Sequence, residues 1–181
     1  MITDIRLAGQ QLAAPRFDTP KKLISWMGAI QAQDYAMARW AVGIRLKSAT
    51  ARSVGEAFSR GEILRTHVMR PTWHLVAAED IRWMLKLSAR RIRSANESLA
   101  KGRQLELTEQ LHYRCDRLLE KMLEGNRNLT KQQIGEELNR QGIAADTPRL
   151  TRLLMRAETE AVVCSGPFSG GRQTYALLEE R

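Results

Sequence analysis

The sequence predicts a mainly α fold with small β ribbons (α+β), arranged as tandem winged helix-turn-helix units. Three observations carry this prediction. Apolar residues recur at spacings of three and four through most of the chain, as amphipathic helices require. Twice, over residues 63–76 and 162–178, that period gives way to strand-forming residues interrupted by Pro or Gly. Each of these runs follows helical segments, and helices followed by a two-stranded ribbon is winged-helix order. A first, divergent unit is placed at 1–94, and a linking helix with a clearer second unit at 95–181.

The first helix is expected over Ile5–Leu12, with Ile5, Ala8 and Leu12 on one face. Pro15 and Pro20 bracket a loop, and Thr19-Pro20 is an N-cap followed by proline at the first helical position. Leu23, Ile24, Trp26, Met27 and Ile30 then form an apolar stripe that reaches Gln31-Ala32-Gln33-Asp34. A helix follows from Tyr35 or Ala36 through Ile44, and another from Thr50 or Ser53 to a stop at Gly61. The segment ILRTHVMRPTWHLV reads as strand, turn at Pro71 and strand. A helix from Ala77 or Ala78 through Leu87 ends among Arg90, Arg91 and Arg93, and polar Ser94–Arg103 reads as a linker or loose turn.

In the second unit a long helix is expected over Thr108–Leu123, broken by Gly125-Asn126. Thr130 caps a short helix containing Ile134 and Leu138, which Gly142 ends. Thr147-Pro148 opens a third helix bearing Leu150, Leu153, Leu154 and Ala157. Val162–Cys164 and Gln173–Leu178 are strands joined by the wing Ser165–Arg172.

Composition narrows the functional classes. With 29 Lys and Arg against 20 Asp and Glu, the net charge of +9 favours a polyanionic partner but does not separate DNA from RNA. Cys115 and Cys164 are far apart and read as isolated thiols of a reducing compartment. Three histidines without a Cys-x-x-Cys partner offer no zinc cluster, and no motif for a metal or organic cofactor is found. Neither a membrane span nor a secretion signal is indicated, so the expected location is the cytoplasm. No motif encodes an oligomeric state.

Two constellations are candidates for chemistry or binding. On the third helix of the second unit Arg149, Arg152 and Arg156 line one side, with Arg172 in the wing, a pattern suited to backbone phosphates. Arg65 and Arg70 in the first ribbon would either hold a nucleic-acid backbone or pair with Asp34, Glu79 or Asp80. His67, His74 and Trp73 are read as core or supporting residues, and Asp34 as a helix cap. The second constellation is Gln31 with Gln33. A carboxamide does not titrate usefully, but it orients water through its oxygen and donates through its nitrogen. On a helix, residues two apart lie about 200° round the axis, so the pair addresses one ligand only if the helix breaks there. Local pattern alone leaves both a structural junction and a ligand site open.

The segments RLAGQQLAAPRF, IQAQDYAMARWAVGIR, EILRTHVMRPTWHLVAAEDIRWML and LLMRAETEAVVCSGPFSGGRQTYALLEER resemble the winged-helix DNA-binding family that contains the AlkZ-like (YcaQ-like) DNA glycosylases. That resemblance implies tandem winged helices around a DNA channel and removal of alkylated or crosslinked purines. It also implies a Gln-x-Gln signature, Gln31 and Gln33 here, that orients the attacking water and stabilises positive charge on the sugar. Crosslink-unhooking relatives carry Asp at the second position, whereas here it is Gln33. Family glycosylases are longer, with a third winged-helix unit and a hairpin closing the channel. Duplex DNA is the implied partner. The contrasting expectation is a winged-helix regulator or architectural DNA-binding protein without chemistry.

Overall fold

The computed structural model describes residues 1–181. Its helix α1 (Ile2–Gly9) starts at Ile2 rather than Ile5 and ends before Leu12. The cause is Gln11, which adopts φ 56°. Its buried carboxamide donates to Ala8 O at 3.2 Å and accepts from Arg16 N–H at 3.0 Å, turning the chain back. None of the α1 residues is buried, so the Ile5, Ala8, Leu12 spacing marks no packed stripe.

Thr19 caps α2 (Pro20–Met27) by accepting from Lys22 N–H, as its position before proline predicts. The helix stops short of Ile30. Gly28 takes φ 76°, which favours glycine, and the chain leaves as strand β1 (Ala29–Gln31). Helices α3 (Tyr35–Gly43) and α4 (Ala51–Ser59) follow, the latter opened by a reciprocal Thr50–Ser53 cap. Strands β2 (Ile63–His67) and β3 (Trp73–Ala77) complete a sheet of order β1-β3-β2. β1 runs antiparallel to β3, with Ala29 opposite Val76, Ile30 opposite Leu75 and Gln31 opposite His74. Leu23, Ile24, Val42, Val54 and Phe58 supply apolar surface removed from water beneath this sheet.

Helix α5 (Ile81–Gly102) runs unbroken through the segment expected to be a linker, so the expected boundary at residue 94 falls inside it. Ile92, Asn96 and Ala100 are buried at helical spacing, which holds the polar stretch helical. Two compact units result, one of Met1–Arg65 with Trp73–Ile81, the other of Thr66–Thr72 with Arg82–Arg181.

The second unit contains α6 (Glu109–Leu123), β4 (Leu129–Thr130), α7 (Lys131–Arg140), α8 (Thr147–Thr159), β5 (Val163–Ser165) and β6 (Thr174–Leu177). Its sheet has order β4-β6-β5. Thr147-Pro148 opens α8 as expected, and Asp146 caps it. Leu119, Ile134, Leu138, Leu153, Leu154 and Val163 form its core. Gly135 lets α7 and α8 approach, because an added Cβ would lie 2.9 Å from Leu150 Cδ2.

The two units repeat bond for bond around their ribbons. Glu62 N–H donates to Ala57 O and Ala78 N–H to Glu62 O; 100 positions on, Val162 N–H donates to Ala157 O and Leu178 N–H to Val162 O. Gln31 faces His74 in the first sheet as Thr130 faces Thr174 in the second. Thr130 is itself the cap of α7, whereas Gln31 is separated from α3 by Ala32, Gln33 and the cap Asp34. Those three residues are an insertion found in the first unit alone.

Candidate functional site

The polar knot therefore lies at a strand end, not in a helix. Ala32 N–H donates to Trp73 O at 2.7 Å, extending the β1–β3 ladder by one residue. Gln31 is exposed, Ala32 is buried and Gln33 is exposed. The two exposed carboxamides thus flank a buried alanine, Gln31 at the end of the strand and Gln33 in the bend that follows. Gln33 Oε1 accepts from Trp73 N–H at 3.4 Å. A carbonyl oxygen has two lone pairs, so this bond leaves one for a ligand. Asp34 Oδ1 accepts from Met37 N–H at 3.0 Å and is a helix cap, as its sequence position suggests.

Behind the knot lies Arg65, only 6% exposed. Its Nε donates to Ala32 O at 2.9 Å and its Nη2 to Gln33 O at 3.0 Å. The guanidinium also stacks 4.5 Å from the centre of the Trp73 ring. Arg65 is thus engaged by two protein carbonyls and an indole. Glu79 pairs with Lys21 and Asp80 accepts from Ser25, at 2.6 and 3.1 Å.

His74 is buried opposite Gln31. In the second unit, His67 Nδ1 lies 2.5 Å from Glu158 Oε2, which also accepts from His67 N–H and Thr66 Oγ1. Glu158 is fully buried, and its Oε1 has no hydrogen-bond partner. The sequence signal for it was a carboxylate four residues after Leu154, where the apolar stripe of α8 should continue; Phe58 fills the corresponding place in the first unit.

The arginine stripe of α8 is divided by its surroundings. Arg156, 9% exposed, pairs with Glu109 and Glu160 at 2.9 and 2.8 Å. Burial works against its charge, but the bonds to Glu109 and attraction of Glu160 outweigh it and raise its pKa. Arg149 donates to Glu106 O at 3.3 Å and lies 3.7 Å from Asp146. Arg152 forms no ion pair; burial first and the neighbouring Arg103 second lower its pKa. Lys131 is lowered likewise, by burial and then by Arg152, while its Nζ donates to Thr151 Oγ1. Arg172 is exposed in the wing and donates to Gln132 Oε1 at 3.4 Å, and Arg70 is exposed at the Thr66–Thr72 turn. No group of three or more His, Cys, Asp or Glu side chains converges in a way that could hold a metal ion. Both cysteines are buried, and burial pushes their thiols up to about 12, which suppresses reactivity.

Helix, strand, helix, helix, strand and strand, given twice with a three-stranded antiparallel sheet each time, is the order of a tandem winged-helix protein. Gln33 lies within, and Gln31 directly before, the three residues that the first copy inserts ahead of its second helix. A family model described as DNA glycosylase AlkZ-like matches residues 24–181, and the chain belongs to that family. Among solved structures it is similar to Streptomyces sahachiroi DNA glycosylase AlkZ, with a TM-score of 0.77 and 21% identity over 96% of this chain. The likeness is one of fold, and the chain spans 47% of that solved relative's length. No curated protein matches it. The family match includes Gln31, Gln33, Arg65 and α8, while the segment RLAGQQLAAPRF lies ahead of it.

Proposed function

We propose that the chain binds duplex DNA and takes part in hydrolysis of the N-glycosidic bond of alkylated or crosslinked purines. The observation that carries this reading is the exposed, buried, exposed order of Gln31, Ala32 and Gln33 at the end of β1, and in this reading both carboxamides address one ligand. A purine alkylated at N7 is cationic and departs neutral, so no strong general acid is needed. What remains is to hold a water and to meet positive charge growing on the sugar. Carboxamide oxygens do both, accepting from the water and turning the negative ends of their dipoles to the sugar. In this reading Arg70, Arg149, Arg152 and Arg172 serve as phosphate contacts. Arg65 and Arg156, enclosed by their protein partners, support the fold around the two sites. A further winged-helix unit, of the kind the family resemblance implies, completes the DNA channel in this reading, and the protein works in the cytoplasm.

The test is release of N7-methylguanine from duplex DNA by the chain, compared with Gln31→Ala and Gln33→Ala. Each substitution is expected to slow release by about 100-fold, the loss typical of one stabilising group at the reacting centre. Release that is unaffected by both substitutions would sink the mechanism. The engagement of Gln33 Oε1 by Trp73 N–H favours a second reading, a DNA-binding protein without chemistry. That reading expects salt-sensitive binding with no base released.

A further inference from the structure

Resting on the glycosylase reading, we propose that Arg65 is a positioning residue that fixes the Gln31–Gln33 pair from behind. Residues 32 and 33 are bonded by two residues, Arg65 and Trp73. Trp73 O takes the Ala32 N–H and Trp73 N–H caps Gln33 Oε1, while Arg65 Nε and Nη2 grip the carbonyls of Ala32 and Gln33. The two arginine donors lie on one edge of a planar group, so they fix the relative orientation of two successive peptides and with it the directions of the flanking side chains. The Trp73 ring covers the guanidinium face and keeps that edge aimed at the loop.

Stability alone does not call for this arrangement. A buried cation costs desolvation, and an apolar residue in a buried strand usually serves folding as well or better. The repeat supplies an independent observation. At the positions 100 residues on, Arg65 and Trp73 are replaced by Ser165 and Gln173, and that unit lacks the inserted Ala32-Gln33-Asp34. The clamp is present where the insertion is present and absent where it is absent. Lysine cannot replace it, because a single ammonium does not present two parallel donors while stacking on an indole.

The decisive comparison uses the 181-residue chain with Arg65→Lys and Arg65→Ala, N7-methylguanine duplex, and proteins labelled with 15N at glutamine. In both variants the Gln31 and Gln33 side-chain amide resonances are expected to shift and broaden, with duplex affinity retained. Base release is expected to fall by about 100-fold, as for a displaced reacting group. Guanidinium chloride at non-denaturing concentration should restore release in Arg65→Ala, and sodium chloride at equal ionic strength should not. A folded variant with unmoved glutamine resonances overturns the proposal, as does lost release that guanidinium fails to restore. If Arg65→Ala does not fold, Arg65→Lys decides by the same resonances. Should neither the unaltered chain nor a version extended by the further unit release base, the glycosylase reading fails while the resonances still judge Arg65.

Discussion

Asp116 on α6 holds its charge where charge is costly. Burial, reinforced by Glu160 and opposed by Arg156, raises its carboxyl from 3.8 to about 6. Between those two values the native state binds more protons than the unfolded chain, so stability falls as pH rises through this window. The penalty is absent below the unfolded value and complete above the folded one. Asp116→Asn, which removes the charge and keeps the shape, is expected to be more stable than the unaltered chain at pH 8. That difference should vanish only as the pH is lowered below the unfolded value, toward about 3, where the carboxyl is largely protonated in both states. Urea unfolding at several pH values checks this; a difference independent of pH would overturn it. Single residues were unevenly legible in the sequence. The caps Thr19, Asp34 and Thr130 could be read because capping is a local bond to a backbone N–H two or three positions ahead. Arg65 and Glu158 could not, because their partners are 32 and 91 positions away.

Element by element, the helices were easier to foresee than the strands. Helix α7 starts with a reciprocal pair in which Thr130 Oγ1 accepts from Gln133 N–H and Gln133 Oε1 accepts from Thr130 N–H at 2.8 Å. Thr130→Ala is expected to cost about 1 kcal/mol and Thr130→Ser almost nothing, since serine keeps the accepting hydroxyl. The urea midpoints of the two variants provide the measurement, and equal midpoints would exclude a capping role. β1 and β4 went unforeseen because strands of three and two residues are too short to show alternation. The length of α5 was hidden for a different reason. Residues 94–103 look like a linker by composition, yet burial of Asn96 and Ala100 suffices to continue the helix.

At the scale of the molecule, the charge of +9 makes association with DNA dependent on salt, but individual arginines should contribute unequally. Arg152→Ala and Arg172→Ala are each expected to weaken duplex binding and reduce the slope of log affinity against log salt by about 1. Arg156→Ala should leave that slope in place and lower stability instead, because Glu109 and Glu160 lose their shared cation. Titrations of a labelled duplex over a range of salt, paired with thermal unfolding, separate the two behaviours. A reduced slope for Arg156→Ala would show that its carboxylate cage opens on DNA. By itself the sequence determined most of the helices and several caps, the net basic charge and the family resemblance, because each rests on local periodicity, composition or contiguous motifs. Only the tertiary structure decided that Gln31 ends a strand, that Arg65 bonds the carbonyls of Ala32 and Gln33 and that Arg156 is enclosed. These outcomes depend on pairing with β3 and on packing between distant helices, where hydrogen bonds between remote residues overrule the helical period that the local apolar pattern suggests.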